Sequence, residues 1–176
     1  MSSLLSRQLL DDAGPLVAAA TDVAETSLFT FVDPSDAATF AAAAAAAGDQ
    51  WLSARVMFAG PANGGFTLTL PAASAQRLCA AFSGEDSLDA IGPEARRDFV
   101  GEVANMICGA WLTRVSRDHA FALSTPAVTS GALAPQDGGE ADGARSTFLA
   151  IDDAPVRLDI VCPVPAAGSR SSSDGR

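Results

Sequence analysis

The sequence is poor in several kinds of residue, and each shortage excludes a class of protein. It has one histidine, His119, and no cysteine pair at zinc-knuckle spacing, so a metal site is not expected. Its three cysteines, Cys79, Cys108 and Cys162, are widely spaced, and nothing at the N-terminus resembles a signal peptide. No apolar run approaches the roughly 18 residues that a membrane span needs. A reduced, soluble, cytoplasmic protein is therefore expected.

Basic residues are also few, since 11 Lys and Arg stand against 21 Asp and Glu, for a formal net charge of -10. Such a surface repels nucleic acid and anionic membranes, and a protein partner with a basic face suits it better. The 176 residues fit one domain, predicted over 1–165. Gly, Ser and Pro enrichment predicts a flexible loop over 129–146 and a disordered tail over 166–176.

Hydrophobic periodicity and turn residues predict the order of helices and strands. The predicted helices are 4–27, with Pro15 opening its longer second part, then an alanine-rich connector at 35–47, then 71–82 and 92–115. The predicted strands are 28–32, a hairpin of 51–58 with 66–70, a strand at 119–128, and a hairpin of 147–151 with 156–161. This order predicts an α+β fold, in which helices pack on an antiparallel or mixed β-sheet.

The helix predicted over 92–115 has an unusual polar face. A step of about 100° per residue places Asp98, Gly101, Glu102, Asn105 and Gly109 on one arc, opposite a broad apolar face. A glycine inside a helix costs roughly 1 kcal/mol relative to alanine, so two on one arc indicate close approach by another surface. Asp98, Glu102 and Asn105 follow at i, i+4 and i+7, so they project as neighbours.

The polar face with Asp98, Glu102 and Asn105, called the stripe below, carries a sequence motif. Asp98-Phe-Val-Gly-Glu102-Val-Ala-Asn105 fits the signature of Asp or Ser, three residues, Glu, two residues, Asn. The chain resembles the CheX branch of the CheC/CheX/FliY chemotaxis phosphatase family over roughly 54–131, including the glycine-turned hairpin and a strand that contains Pro126 and ends in Gly131. One departure is that 20 residues, not the family's 22, separate Asn105 from Pro126.

The resemblance implies a CheC/CheX-like fold and a phosphatase that hydrolyses the aspartyl-phosphate of a CheY-type response regulator. It implies that Asn105 orients the attacking water and that Glu102 pairs with the regulator's lysine. Asp98, Gly101 and Gly109 would contact the partner, with Pro126 in a supporting role. No cofactor of its own is expected, because the Mg2+ would lie on the phosphorylated regulator.

A related segment, Thr21-Asp-Val-Ala-Glu25-Thr-Ser-Leu28, has leucine where the motif has asparagine, which predicts a degenerate, structural copy of the site. Two other functions stay open: a non-catalytic adaptor that binds the phosphorylated regulator, and a structural protein related to the flagellar switch. Some relatives dimerise by exchanging strands, so a homodimer also stays open. The sequence does not identify the regulator.

Overall fold

The computed structural model describes residues 2–47, 50–133 and 143–163. Its helices are α1 Ser2–Asp11, α2 Gly14–Ser27, α3 Ala37–Ala47, α4 Ala72–Ser83 and α5 Pro93–Val115. Its strands are β1 Val32–Pro34, β2 Trp51–Ala59, β3 Gly64–Pro71, β4 Ala122–Leu123, β5 Ala127–Gly131, β6 Ala144–Ile151 and β7 Ala154–Val161. Each predicted helix is present, and Pro15 lies in the first turn of α2 as predicted.

The strands of the described residues form one sheet in the order β1-β6-β7-β3-β2, and the far edge of β2 is shared by β4 and β5. Every pairing is antiparallel. Both predicted hairpins, β2 with β3 and β6 with β7, are confirmed. The predicted α+β class is confirmed as well, with the sheet antiparallel throughout.

Helices α2, α4 and α5 cover one face of this sheet. Alternate strand residues such as Val56, Leu68 and Leu158 point into the core they form and are at most 2% exposed. Trp111 of α5 is fully buried and meets the Phe58 ring edge-on, with 5.6 Å between ring centroids. Burying each such large side chain contributes roughly 1.5–3 kcal/mol, which fixes the rotation of α5 about its own axis.

The alanine-rich helix α3 is held by a single aromatic side chain. Phe40 is 3% exposed and is the only buried residue of α3. Its ring lies 5.3 Å from that of Trp51 and 5.4 Å from that of Phe148, with the Arg157 guanidinium 5.8 Å from its centroid. These partners alternate along their strands with core residues, so Phe40 packs on the opposite face of the sheet. The attachment of this connector to the sheet thus depends on one buried side chain.

Two predicted strands were wrong in their bounds. The strand predicted over 28–32 begins only at Val32, because Leu28 ends α2 in a helical conformation and Phe29 follows with φ of 55°. The strand predicted over 119–128 is two short strands, β4 and β5, separated at residues 124–126. Proline has no N–H to donate, and Pro126 interrupts the ladder there.

The loop predicted over 129–146 is shorter than expected. Residues up to Gly131 continue β5, and β6 begins at Ala144, because both segments find pairing partners on neighbouring strands. Residues 134–142 of that loop lie outside the described residues, as does the tail predicted over 166–176.

Phe29 provides a test of local backbone energetics. Its φ of 55° is left-handed, and its side chain is 85% exposed. A β-carbon in this region costs roughly 1–2 kcal/mol, while glycine adds about 0.5–1 kcal/mol of unfolded-state entropy. Phe29→Gly should therefore raise the free energy of unfolding by about 0.5–1 kcal/mol in urea titrations. Phe31→Gly is the matched control, since Phe31 is also exposed but has no positive φ, and an equal gain there would contradict the explanation.

Candidate functional site

The motif residues lie on α5, which begins directly after Gly92 with Pro93 in its first turn. Asp98 and Glu102 are exposed, and Asn105 is half-buried. Their spacing places all three on one face of the helix, with Glu102 and Asn105 one turn apart. Within the described ranges, none of the three side chains makes a hydrogen bond or ion pair. A carboxylate and a carboxamide are thus presented together to the outside, free of competing partners.

Pro126, just before β5, and Val128, within β5, border this stripe and are called the wall below. A β-carbon built on Gly101 would lie 3.4 Å from Pro126 Cβ and 3.3 Å from Val128 Cγ2, and Gly101 is buried. The close approach that this glycine permits is therefore made by the chain itself and not, as predicted, by a partner. Pro126 nevertheless lies beside the stripe, so the shorter spacing after Asn105 still brings the proline to the helix.

Gly109 differs from Gly101. It is half-buried, and the nearest atom to an added β-carbon is Leu123 Cδ1 at 3.7 Å, an ordinary contact distance. The packing of the chain would accommodate an alanine there. The prediction that Gly109 keeps the stripe bare for a partner remains a prediction.

Residues at the strand break hold the wall in place. The Met57 amide donates to Ser124 Oγ at 3.0 Å, and the Ser124 amide donates to the Met57 carbonyl at 2.9 Å. Ser124 thus satisfies the edge of β2 where the ladder is interrupted, and the chain then turns to lay Pro126 on the helix. The guanidinium of Arg97 donates to the Val128 carbonyl and ties β5 to α5. Arg97 is not among the predicted site residues, because no local pattern in the sequence indicates a bond across 31 positions.

Two further residues of α5, Cys108 and Leu112, are covered. Leu112 is 2% exposed and Cys108 is fully buried. Burial raises the pKa of the Cys108 thiol to about 12. At neutral pH it is protonated and therefore a poor nucleophile. No group of metal ligands occurs in the part of the chain that the structure describes.

The second copy of the motif lies on α2, which packs against α5. Glu25 is exposed like Glu102, but Leu28, which replaces the asparagine, is 7% exposed and belongs to the core. An ion pair between Asp22 and Arg114 links the two helices. An apolar side chain facing the core cannot hold a water molecule at the surface, which supports a structural role for this copy.

Comparison with known proteins agrees with this architecture. An antiparallel sheet is covered by α2 and α5, and α5 presents an exposed Glu102 and a half-buried Asn105, which agrees with a chemotaxis-phosphatase-type protein. The family model described as chemotaxis phosphatase CheX matches residues 52–141. The chain belongs to the CheX family.

Solved structures share the fold at low sequence identity. The CheX of Desulfovibrio desulfuricans is 22% identical, with a TM-score of 0.66 over 86% of this chain and 98% of that one. The CheX of Borrelia burgdorferi, solved as a CheX-CheY-BeF3-Mg2+ complex, is 18% identical, with a TM-score of 0.58 over 84% and 95%. FliY of Thermotoga maritima is 11% identical, with a TM-score of 0.58 over 92% and 91%. No curated protein sequence is significantly similar. In the described ranges, every helix is too short or too polar to cross a membrane.

Proposed function

We propose that this protein hydrolyses the aspartyl-phosphate of a CheY-type response regulator, using Glu102 and Asn105. One observation carries the proposal: a carboxamide and a carboxylate stand one turn apart on an accessible helical face, and neither is bonded within the described chain. Membership of the CheX family and a relative solved in complex with CheY support the same partner class. The proposal implies a cytoplasmic location, where such a regulator acts.

Asn105 suits the orientation of water better than proton transfer. A carboxamide has no useful basicity near neutral pH, but its oxygen accepts and its NH2 donates. Asn105 would hold a water in line with the phosphorus. The water oxygen forms the new bond to phosphorus, the bond to the aspartyl oxygen breaks, and the regulator recovers its carboxylate while inorganic phosphate leaves. Positioning of this kind supplies much of the rate in phosphoryl transfer.

Glu102 suits recognition. An exposed carboxylate next to Asn105 would pair with the lysine of the regulator's phosphorylation site and set the register of the complex. The Mg2+ that neutralises the phosphoryl oxygens would be held by the regulator. Asp98 and Gly109 extend the same face and are proposed as further contacts, while Pro126, Val128 and Arg97 keep α5 in position.

The proposal is tested with purified protein, Mg2+ and a panel of phosphorylated CheY-type regulators, with phosphate release followed continuously. Acceleration over the regulator's own decay is expected for the cognate partner, and it should saturate with regulator concentration. Complex formation with no acceleration would favour the adaptor function. If no regulator in the panel is bound and none is dephosphorylated faster, the proposal is contradicted.

A further inference from the structure

The end of the second motif copy carries the two most exposed large apolar side chains of the described residues. Phe29 is 85% exposed and Phe31 is 76% exposed. Phe29 also has a left-handed backbone conformation, which glycine or asparagine normally occupies at the end of a helix. Neither ring contributes to the core, so folding does not explain them. Two strongly exposed aromatic side chains only two residues apart are typical of a surface that another molecule covers.

Exposed carboxylates flank these phenylalanines along the chain and on the turn that bonds Phe31. The Asp152 amide donates to the Phe31 carbonyl at 3.2 Å, which brings the β6–β7 turn, with Asp152 and Asp153, beside the backbone of Phe31. Asp33 lies in β1, two residues after Phe31, and Glu25 lies in α2, four residues before Phe29. All four acids are exposed, and none makes an ion pair within the described ranges.

We propose that this aromatic–acidic patch, formed by Phe29, Phe31, Glu25, Asp33 and the turn Asp152–Asp153, docks a basic amphipathic segment of another protein. Apolar side chains of that segment would cover the two rings, and its lysines or arginines would meet the carboxylates. Cations also bind favourably over the faces of aromatic rings, so the two kinds of residue in the patch favour the same ligand. The degenerate motif would then have lost catalysis but kept a surface for binding.

A second copy of this chain fits the patch less well. A two-fold dimer would bring the same carboxylates face to face, in a protein whose net charge is already -10. Pairing through the neighbouring sheet edge is also disfavoured, because β1 has only three residues and ends in Pro34, which has no N–H. Recognition through side chains by a partner of opposite charge is the better match.

The patch is separate from the site on α5. Strand β1 forms one edge of the sheet, whereas β5, which borders Gly101, pairs with β2 at the other. Five interstrand steps of about 4.8 Å place these edges roughly 24 Å apart. A segment bound at the patch and a regulator bound at α5 would therefore occupy different ends of the sheet, and the patch does not depend on the proposed function.

The test uses a short synthetic amphipathic helix of leucine and lysine, and a second peptide with glutamate in place of lysine. Titration into the 15N-labelled full chain should shift amide resonances of residues 25–33 and 150–153 with the lysine peptide only. In fluorescence anisotropy, the double variant Phe29→Ala/Phe31→Ala should weaken binding by about tenfold or more. Phe82→Ala is the matched control, since Phe82 is 51% exposed but lies on α4.

The double change Asp152→Asn/Asp153→Asn removes charge without straining the turn, because both residues have positive φ, which asparagine accepts. It should weaken peptide binding several-fold and reduce its dependence on salt. Resonance shifts centred elsewhere, or equal affinity of the phenylalanine double variant and the Phe82 control, would overturn the proposal. So would sedimentation data in which the double variant turns a dimer into a monomer, because a second copy would then cover the patch.

Discussion

Replacing Asn105 with alanine is expected to lower phosphate release from the phosphorylated regulator by about 100-fold or more. The substitution removes the only group assigned to hold the attacking water, and it leaves the carboxylate of Glu102 and the helix unchanged. Asn105 makes no bond within the described chain and is half-buried, so its loss should not weaken the fold. Complex formation, measured by anisotropy with the labelled regulator, should stay within about twofold, because positioning of water concerns the reaction and not the docking.

Thr113→Ala is the matched control for this change. Thr113 is exposed two turns further along the same side of α5, and among the described residues its hydroxyl bonds only the Gly109 carbonyl, at 2.8 Å. Its variant should retain full activity. A catalytic Asn105→Ala protein would contradict the assigned role, and a parallel loss of binding and activity would make Asn105 a contact residue.

Helix α5, which carries the proposed site, was predictable from the sequence because the signals that define it lie within its own residues. Gly92 and Pro93 mark its start, and the apolar residues of α5 repeat with a helical period up to Trp111. The same periodicity placed Asp98, Glu102 and Asn105 on one face, and that placement follows from helix geometry alone. The motif then connected the face to a family whose fold the structure shares.

The surroundings of that face were not predictable in the same way. Gly101 looked like an opening for a partner, yet Pro126 and Val128 occupy the space, and these residues are 25 or more positions away in sequence. Helical periodicity shows which side lacks large apolar residues, but not whether a distant strand covers it. The pairing of β5 with β2 and the Arg97 bond to β5 decide this, and both are tertiary contacts.

The dependence on distant contacts also limited the prediction of helix α3 and of the end of α2. The polyalanine tract predicts a helix from propensity, but alanine on every side gives no preferred face, so the role of Phe40 as the anchor on the outer sheet face was not visible. At the end of α2, the β-forming run from Leu28 to Val32 suggested a strand. Burial of Leu28 in the core instead extended the helix end and left Phe29 in its left-handed conformation.

Reversing the charge of Glu102, as Glu102→Lys, is expected to weaken the regulator complex by roughly 2 kcal/mol or more, about 30-fold in Kd. The new ammonium group would face the regulator's lysine, and like charges across an interface are strongly unfavourable. The regulator concentration that gives half-maximal phosphate release should rise accordingly. The rate at saturation should fall much less, because Asn105 is intact. Glu102→Gln, which removes the charge but keeps the shape, should give an intermediate loss of affinity.

Glu85→Lys controls for the change in overall charge. Glu85 is exposed just after α4, on a different element from the stripe, and both substitutions move the formal charge of -10 by two units. A partner with a basic face would be repelled slightly by either variant, with an effect that added salt removes. The loss specific to Glu102 should persist in salt, because the pair is formed in contact and partly desolvated. If the Glu102→Lys and Glu85→Lys proteins bind the regulator with equal affinity, binding depends only on the overall charge of the protein. The assignment of Glu102 to a direct pair would then be wrong.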